Sequence, residues 1–212
     1  MPGACREPPR RHEGELTVGP AVELRAGHAG DVPQLCVLAM HVYVATYCEG
    51  GLRPDQAREA LEVYSVTDFQ SRLQSGHTFT LACHGEHLLG FSETTPPVGE
   101  ASVGLAITVG AGELKRLYVS PGSQGQGHGR ALLRHAEQQA AAQGATGLWL
   151  SAWAGNARAL AFYAAAGYRE IGCTNYVFED RAYENRVFFR AASRRGAESE
   201  RSAGSASGRG SH

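Results

Sequence analysis

Residues 120–133 read "SPGSQGQGHGRALL" and place four glycines within eight positions, just before a pattern typical of a helix. Leucines and alanines then recur at helical spacing, at positions 132, 133, 136 and 140. Glycine leaves the backbone bare, and the first N–H groups of a helix have no partner within it. Unpaired N–H groups and the helix dipole both favour negative charge. The stretch therefore predicts an anion-binding loop, with a phosphate group as the most obvious ligand.

The spacing separates three phosphate-binding patterns. A Walker A loop requires a lysine after its final glycine, but His128 follows Gly127. The dinucleotide pattern GxGxxG does not fit either, because the glycines at 125, 127 and 129 alternate and no acidic residue follows a second strand at the expected distance. The pattern that is left is Q-x-x-G-x-G, at Gln124–Gly129.

Clear strand and helix patterns flank this loop. "ELKRLYV" at Glu113–Val119 alternates and predicts a strand with Glu113, Lys115, Leu117 and Val119 on one face and the other residues opposite. After a helix closed by Gly144, "GLWLSAW" predicts a strand at Gly147–Trp153. Asn156 is a suitable N-cap for a helix that ends at Gly167, and two more strands follow, "YREIG" and "ENRVFFR". This order predicts a mixed sheet with helices on both faces, an α/β (α+β) arrangement.

The first half of the chain is less clearly patterned. Ala21–Ala26 predicts a short strand, Asp31 a helix cap, and the region up to Gly76 an interrupted helical segment. Two strands are expected to meet in a hairpin at Gly85. A Gly/Pro-rich loop from Thr94 to Gly112 follows, with some strand character expected around Leu105–Val109.

Length and composition predict one domain. With 212 residues, 42% of them hydrophobic, the chain is long enough for one core, which we place at residues 21–190. Residues 1–20 and 191–212 are expected to be disordered, because the first segment is rich in proline and charge and the second lacks leucine, isoleucine, valine and aromatic residues.

The charge and the cysteines argue against several classes of protein. The net charge of −1 gives no bulk attraction to nucleic acid or to membrane lipids. Five scattered cysteines without a CxxC pair favour reduced thiols in the cytoplasm and no zinc site. The N-terminus does not look like a signal peptide, and Leu35–Tyr47, the longest apolar patch, is too short to span a bilayer. His84 and His87 flank a hairpin turn, so we expect no metal there.

The glycine motif and its surroundings resemble the GCN5-related N-acetyltransferases, the GNAT family, which bind acetyl-CoA through [QR]-x-x-G-x-[GA]. That family places the motif between an alternating strand, here followed by Pro121, and an amphipathic helix. It adds a second block like "NARALAFYAAAGY" at Asn156–Tyr168. The resemblance covers Glu113–Arg190 strongly and Val22–Gly112 in outline. It implies the GNAT fold, a mixed and mostly antiparallel sheet of six to seven strands with helices on both faces, splayed at the two middle strands.

The resemblance also implies a binding site for acetyl-CoA, without metal. A bulge would expose main-chain groups near Leu117, Tyr118 and Val119 for the pantetheine arm and the acetyl oxygen. Asn156 would contact the pantetheine while capping its helix. The pyrophosphate would lie on the amides of the motif, with Arg130 as a nearby cation; the motif residues are Gln124, Gly125, Gln126, Gly127, His128 and Gly129.

Two residues match positions of the family's acid–base groups. Glu113 would accept the proton of the attacking amine, directly or through water, and Tyr163 would protonate the departing thiolate. Each has a structural alternative, a solvated strand-end carboxylate for Glu113 and a core aromatic for Tyr163. Residues 41–51 lie where relatives build the acceptor site; Tyr43 and Tyr47 are candidates there, or simply residues of a packed helix.

The resulting expectation is an N-acetyltransferase that passes acetyl from acetyl-CoA to a primary amine of a small molecule or protein, in a ternary complex. The alternative is a fold relative that binds acyl-CoA without turnover. A third hypothesis, an acetyltransferase that targets nucleic acid, requires a basic face that the balanced charge disfavours. A homodimer is compatible with all three.

Overall fold

The computed structural model describes residues 22–99, 104–178 and 181–192. These residues form seven strands and five α-helices. The strands are β1 (Glu23–Ala26), β2 (Thr78–His84), β3 (His87–Thr95), β4 (Gly112–Val119), β5 (Gly147–Trp153), β6 (Arg169–Phe178) and β7 (Arg181–Ala191). The helices are α1 (Val32–Tyr47), α2 (Pro54–Val63), α3 (Val66–Gln74), α4 (His128–Ala142) and α5 (Ala157–Ala165).

All seven strands belong to one sheet, in the order β1-β2-β3-β4-β5-β7-β6. Every neighbouring pair is antiparallel except β4 and β5, which run parallel. That parallel pairing is confined to Gly112 opposite Leu148 and Glu113 opposite Trp149. Beyond it the strands diverge, and we call the opening between residues 114–119 and 150–153 the β4–β5 cleft. The predicted mixed sheet of six to seven strands, splayed at its middle strands, is confirmed, and it has seven strands among the described residues.

A β-bulge in β4 changes which residues share a face. Glu93 pairs with Arg116 and Thr94 with Leu114, so Lys115 is the extra residue of the bulge. Because the side-chain period in a strand is two, one extra residue reverses the alternation. The predicted face of Glu113 with Leu117 is therefore wrong: Glu113 shares a face with Arg116 and Tyr118, and Leu114 and Leu117 pack together on the other side.

Helices cover both faces of the sheet. On one face α1, α2 and α3 enclose a core in which the fully buried ring of Phe69 contacts Phe79 and Phe91, with centroids 5.6 and 6.1 Å away. On the other face α4 and α5 pack on β4 and β5, with Leu133 and Tyr163 among the buried side chains. The helical stripe predicted for α4 is confirmed, since all four of its members are buried: Leu132, Leu133, Ala136 and Ala140.

The first half confirms the hairpin and corrects two details. The turn between β2 and β3 contains Gly85, whose φ of 58° is left-handed. Asp31 precedes α1, but its carboxylate does not cap that helix; it accepts hydrogen bonds from the backbone N–H of His28 and from Arg25 instead. The strand character predicted for Leu105–Val109 is also wrong. A short 3-10 helix forms there, because Leu105 packs on the buried cluster around Trp149 and does not enter a ladder.

The termini extend beyond the described residues. β1 begins at Glu23, and Ala21 and the segment 1–20 lie outside those residues, as does most of 191–212. β7 continues to Ala191, one residue past the predicted domain end. Of the five cysteines, Cys5 lies outside the described residues and the other four are free thiols.

A buried group of charged side chains lies behind the bulge, and the sequence analysis did not identify it. Glu93 of β3 is completely buried and forms an ion pair with Arg116, next to the bulged residue. Arg72 Nη1 of α3 lies 3.6 Å from Glu93 Oε2, and His77 Nδ1 lies 2.6 Å from Glu93 Oε1. Each basic group comes from a different part of the chain, so this carboxylate joins α3, β3 and β4.

We expect Glu93→Gln to lower the free energy of unfolding by about 3 kcal/mol, because it removes the buried counter-charge of Arg116 and leaves Arg72 with Asp68 alone. Urea unfolding of both proteins measures the difference. Glu86→Gln, at the exposed hairpin turn, is the matched control and should change stability by less than about 0.5 kcal/mol. Equal stability of the Glu93 variant and the wild type would contradict a structural role for the buried carboxylate.

Candidate active site

The glycine loop connects β4 to α4 and leaves a row of backbone donors free. Gly125 and Gly127 have φ values of 80° and 88°, left-handed conformations that other residues adopt at a cost. Gly127 is the N-cap of α4. Within the part of the chain that the structure describes, the N–H groups of residues 125–130 donate no hydrogen bond, and the first internal bond is from Ala131 N–H to Gly127 O. Such a row at a helix N-terminus fits an anion.

Side chains hold the loop in place from both sides. Gln124 Nε2 donates to Val119 O at 3.0 Å, which ties the loop to the end of β4. Arg158, in the first turn of α5, donates to Gln124 Oε1. Gln126 is exposed, and its Nε2 donates to Gly122 O at 3.3 Å. Arg158 therefore brings a positive charge to the loop, a contribution that the sequence analysis missed although the residue lies two positions after Asn156.

The remaining loop residues differ in their surroundings. The Nε2 atom of His128 is enclosed and meets no hydrogen-bond partner among the described residues. A Cβ on Gly129 would lie 3.7 Å from both Val119 and Phe162, so the first turn of α4 packs closely on β4 and α5. Arg130 is exposed in that turn, and it lines a shallow recess shared with Arg134 and Arg190.

The β4–β5 cleft exposes two strand edges to each other. Residues 114–119 of β4 pair with β3 on their outer side, and β5 pairs with β7 along its whole length. The inner edges therefore carry main-chain groups that no ladder between β4 and β5 uses. Leu117 packs towards α4, and Tyr118 packs on the opposite face. The structure thus brings Leu117, Tyr118 and Val119 to this edge, directly before the glycine loop.

Helix α5 carries two of the predicted site residues, with Asn156 at its N-cap and Tyr163 among its buried side chains. Asn156 Oδ1 accepts a hydrogen bond from Ala159 N–H at 3.0 Å, so the predicted N-cap is confirmed. The Tyr163 ring is 8% exposed and packs against Phe162, Tyr168 and Phe188, with centroids 5.2, 5.9 and 6.2 Å away. Its hydroxyl makes no hydrogen bond to any residue that the structure describes. Burial, and to a smaller extent Tyr118, raises the pKa of Tyr163.

Glu113 lies at the narrow end of the cleft, where β4 and β5 are still paired. Its carboxylate is partly buried and forms an ion pair of 2.8 Å with Lys115, the bulged residue. Burial raises the pKa of Glu113, and the hydrogen bond and charge of Lys115 act in the opposite direction. The two proposed acid–base groups come from different elements, Glu113 from β4 and Tyr163 from α5.

Aromatic side chains form a wall on the α1 and α2 side of the cleft. The Tyr47 ring of α1 lies 5.6 Å from that of Trp153 at the end of β5, and 5.3 Å from that of Tyr43. The hydroxyls of Tyr64 and Tyr118 are 3.0 Å apart. Both residues named as acceptor-site candidates, Tyr43 and Tyr47, thus belong to one continuous wall that reaches the cleft. Helical packing also accounts for Tyr43, which is 5% exposed.

Metal sites and membrane spans can be judged for the described residues only. Among them no three His, Cys, Asp or Glu side chains lie close enough together to hold a metal ion. None of the helices in that same part of the chain combines the length and the apolar composition that a membrane crossing requires.

The fold and the site agree with comparisons to known proteins. The sequence profile of the Acetyltransferase (GNAT) family matches residues 45–168, more than half of the chain. The chain is also 35% identical over 86 residues to the [ribosomal protein bS18]-alanine N-acetyltransferase of Escherichia coli K12. That match covers 41% of this chain and 58% of the relative, so the chain spans less than two thirds of the curated relatives' length in sequence.

Solved structures show the same fold. PaiA N-acetyltransferase from Thermoplasma acidophilum, in complex with coenzyme A, superposes with a TM-score of 0.59 at 21% identity, covering 78% of this chain and 98% of that one. The ribosomal-protein-S18-alanine N-acetyltransferase from Escherichia coli superposes with a TM-score of 0.58 at 20% identity. The match covers 84% of this chain and 98% of that one. The splayed sheet, the glycine loop and the matched profile lead to one assignment: the chain belongs to the GNAT family of acetyltransferases.

Proposed function

We propose that this protein transfers an acetyl group from acetyl-CoA to a primary amine, by direct attack in a ternary complex. The observation that carries the proposal is the row of unpaired N–H groups at residues 125–130, at the end of an open strand edge. A pyrophosphate fits such a row, and an extended arm that can hydrogen-bond fits the edge. Acetyl-CoA, which has both parts, would supply the activated acetyl group.

The residues that would hold acetyl-CoA follow the path of the cleft. The pyrophosphate would lie on the amides of Gly125–Gly129, with Arg158 or Arg130 as a cation beside it. The main chain of Leu117, Tyr118 and Val119 would hydrogen-bond the pantetheine arm, and Asn156 would face the same arm. Gln124, whose side chain is held by Val119 O and Arg158, would support the loop and leave the anion to the backbone.

Glu113 would take the proton of the attacking amine. An alkylammonium has a pKa near 10, so at neutral pH the reaction needs a route for that proton. A partly buried carboxylate with a raised pKa is a better base than an ordinary one. Because Glu113 lies at the narrow end of the cleft, we propose that it acts through water.

Tyr163 would donate a proton to the departing thiolate. Packing against three aromatic rings fixes the ring of Tyr163 and so orients its hydroxyl. That hydroxyl has no hydrogen-bond partner among the described residues, so a ligand would displace none on binding. The hydroxyl is protonated at neutral pH, and because burial raises its pKa, donation would depend on this fixed geometry.

The acceptor is a primary amine on a small molecule or a protein. The curated relative acts on the alanine of a ribosomal protein, which makes a protein N-terminus one acceptor to test. We also propose a cytoplasmic location, because the four cysteines in the described residues are free thiols.

A second candidate function is binding of acyl-CoA without turnover. The ion pair of Glu113 with Lys115 and the close packing of Tyr163 favour it, because both are also typical of residues with structural roles. Measurement of free CoA thiol with acetyl-CoA and a panel of amines and N-terminal peptides separates the two functions. Thiol release that depends on the amine supports the transferase; acetyl-CoA binding without release for any acceptor supports the sensor.

Gly127→Glu should weaken acetyl-CoA binding at least about tenfold, because it adds a side chain and a negative charge where the pyrophosphate would bind. Calorimetry gives the dissociation constant. Gly144→Glu is the matched control. Gly144 is also left-handed, with φ of 77° and open space around it, but it follows the C-terminal end of α4, the end opposite the loop. An affinity that is indifferent to the change at Gly127 would overturn the loop assignment.

Tyr163→Phe should lower kcat by about a hundredfold, the lower end of what general acid catalysis contributes, and leave the affinity for acetyl-CoA nearly unchanged. Steady-state kinetics and calorimetry give the two values. Tyr168→Phe removes a hydroxyl from the neighbouring ring of the same buried cluster and should leave kcat unchanged. If Tyr163→Phe turns over like the wild type, Tyr163 is not the acid.

A further inference from the structure

Glu59 of α2 is a carboxylate whose two oxygens are held by tyrosines. Tyr43 Oη donates to Glu59 Oε2 at 2.6 Å, and Tyr176 Oη of β6 donates to Glu59 Oε1 at 2.8 Å. A carboxylate can accept about four hydrogen bonds, so two acceptor positions stay open. Glu59 is half-buried, and Tyr176 is 41% exposed, so solvent and ligands can reach the group.

No basic residue in the described ranges forms an ion pair with Glu59. Arg53 and Arg181 pair with Asp55, and Arg116 pairs with the buried Glu93. Glu59 differs in this respect from Glu93 and Asp31, whose charges arginines compensate. A partly buried anion that has no counter-charge among the described residues favours a cation from a ligand.

The aromatic wall connects Glu59 to the β4–β5 cleft. Tyr43 bonds to Glu59, Tyr47 lies 5.3 Å from Tyr43, and Trp153 lies 5.6 Å from Tyr47, in each case between ring centroids. Trp153 ends β5, whose inner edge forms one side of the cleft. Aromatic faces attract cations through the ring quadrupole, so this wall favours the same sign of charge as the carboxylate does.

We infer that Glu59 and the tyrosines around it bind a positively charged group of the acceptor, one that is distinct from the amine that reacts. The substrate class is therefore an amine with a second cationic group, as in a diamine or a peptide with a basic side chain near its N-terminus. The inference rests on the proposed function, since it places the reacting amine in the cleft and the second charge at Glu59. A charge-assisted hydrogen bond there would distinguish such acceptors from neutral-tailed amines.

Calorimetry on the CoA-saturated protein tests the inference without requiring turnover. Two pairs of probes differ only in the second charge at one end: diaminooctane against octylamine, and alanyl-lysine amide against alanyl-norleucine amide. We expect the dication of at least one pair to bind about tenfold to a hundredfold more tightly than its partner. The pair with the larger ratio identifies the source of the charge, a small diamine or a peptide.

Glu59→Gln should abolish that ratio by weakening the dication alone, because glutamine keeps the shape and loses the charge. Glu62→Gln, on the same helix and exposed, is the matched control and should preserve the ratio. Equal binding of both members in both pairs, or a ratio that survives Glu59→Gln, would overturn the inference.

CoA release with the same amines separates this inference from the proposed function. Release with all four probes but no preference in binding leaves the transferase standing and refutes the role of Glu59. A preference for the dication that depends on Glu59, without release of CoA from these probes or from any amine of the wider panel, supports the cation site and refutes the transferase.

Discussion

The bulge at Lys115 is the constraint on which the rest of the site depends. One extra residue bends β4 while its pairing with β3 continues, and β4 parts from β5 after Glu113. Main-chain groups on both inner edges then lack a ladder, and buried backbone groups need partners. A ligand that runs along the edge can supply them, so we propose that the broken pairing between the middle strands is also the binding surface. The ion pair of Glu93 and Arg116, next to the bulge, connects this irregular part of β4 to the buried side of β3.

The sequence predicted what depends on local chemistry and failed where distant residues decide. The glycine loop, the Asn156 cap and the left-handed Gly144 and Gly167 follow from neighbours in the chain, and all of them are found in the structure. The faces of β4 depend on its register with β3, which the alternation in "ELKRLYV" does not reveal. Glu93 looked like an ordinary strand residue, because its partners come from α3, the start of β2 and β4.

The small net charge conceals an uneven distribution of charge around the cleft. At the loop end, free N–H groups and Arg158 provide positive potential, which suits the anionic donor. On the α2 side, Glu59 provides a negative charge that no basic residue of the described ranges pairs with, beside aromatic rings. Opposite charges in these two regions would direct the two substrates to different parts of one opening. The net charge is a sum over the chain and does not reveal this arrangement.

Glu113 and Tyr163 come from different elements of the fold and have different surroundings. Glu113 is on β4, where Lys115 pairs with it, and Tyr163 is on α5 among packed aromatic rings. In the proposed reaction, removal of the amine proton and protonation of the thiolate would therefore be two separate transfers. Burial raises the pKa of both groups, which makes the carboxylate a stronger base and keeps the phenol protonated. The same desolvation thus favours Glu113 as an acceptor of protons but weakens Tyr163 as an acid, so proton donation by Tyr163 would depend on the geometry that its packed ring imposes.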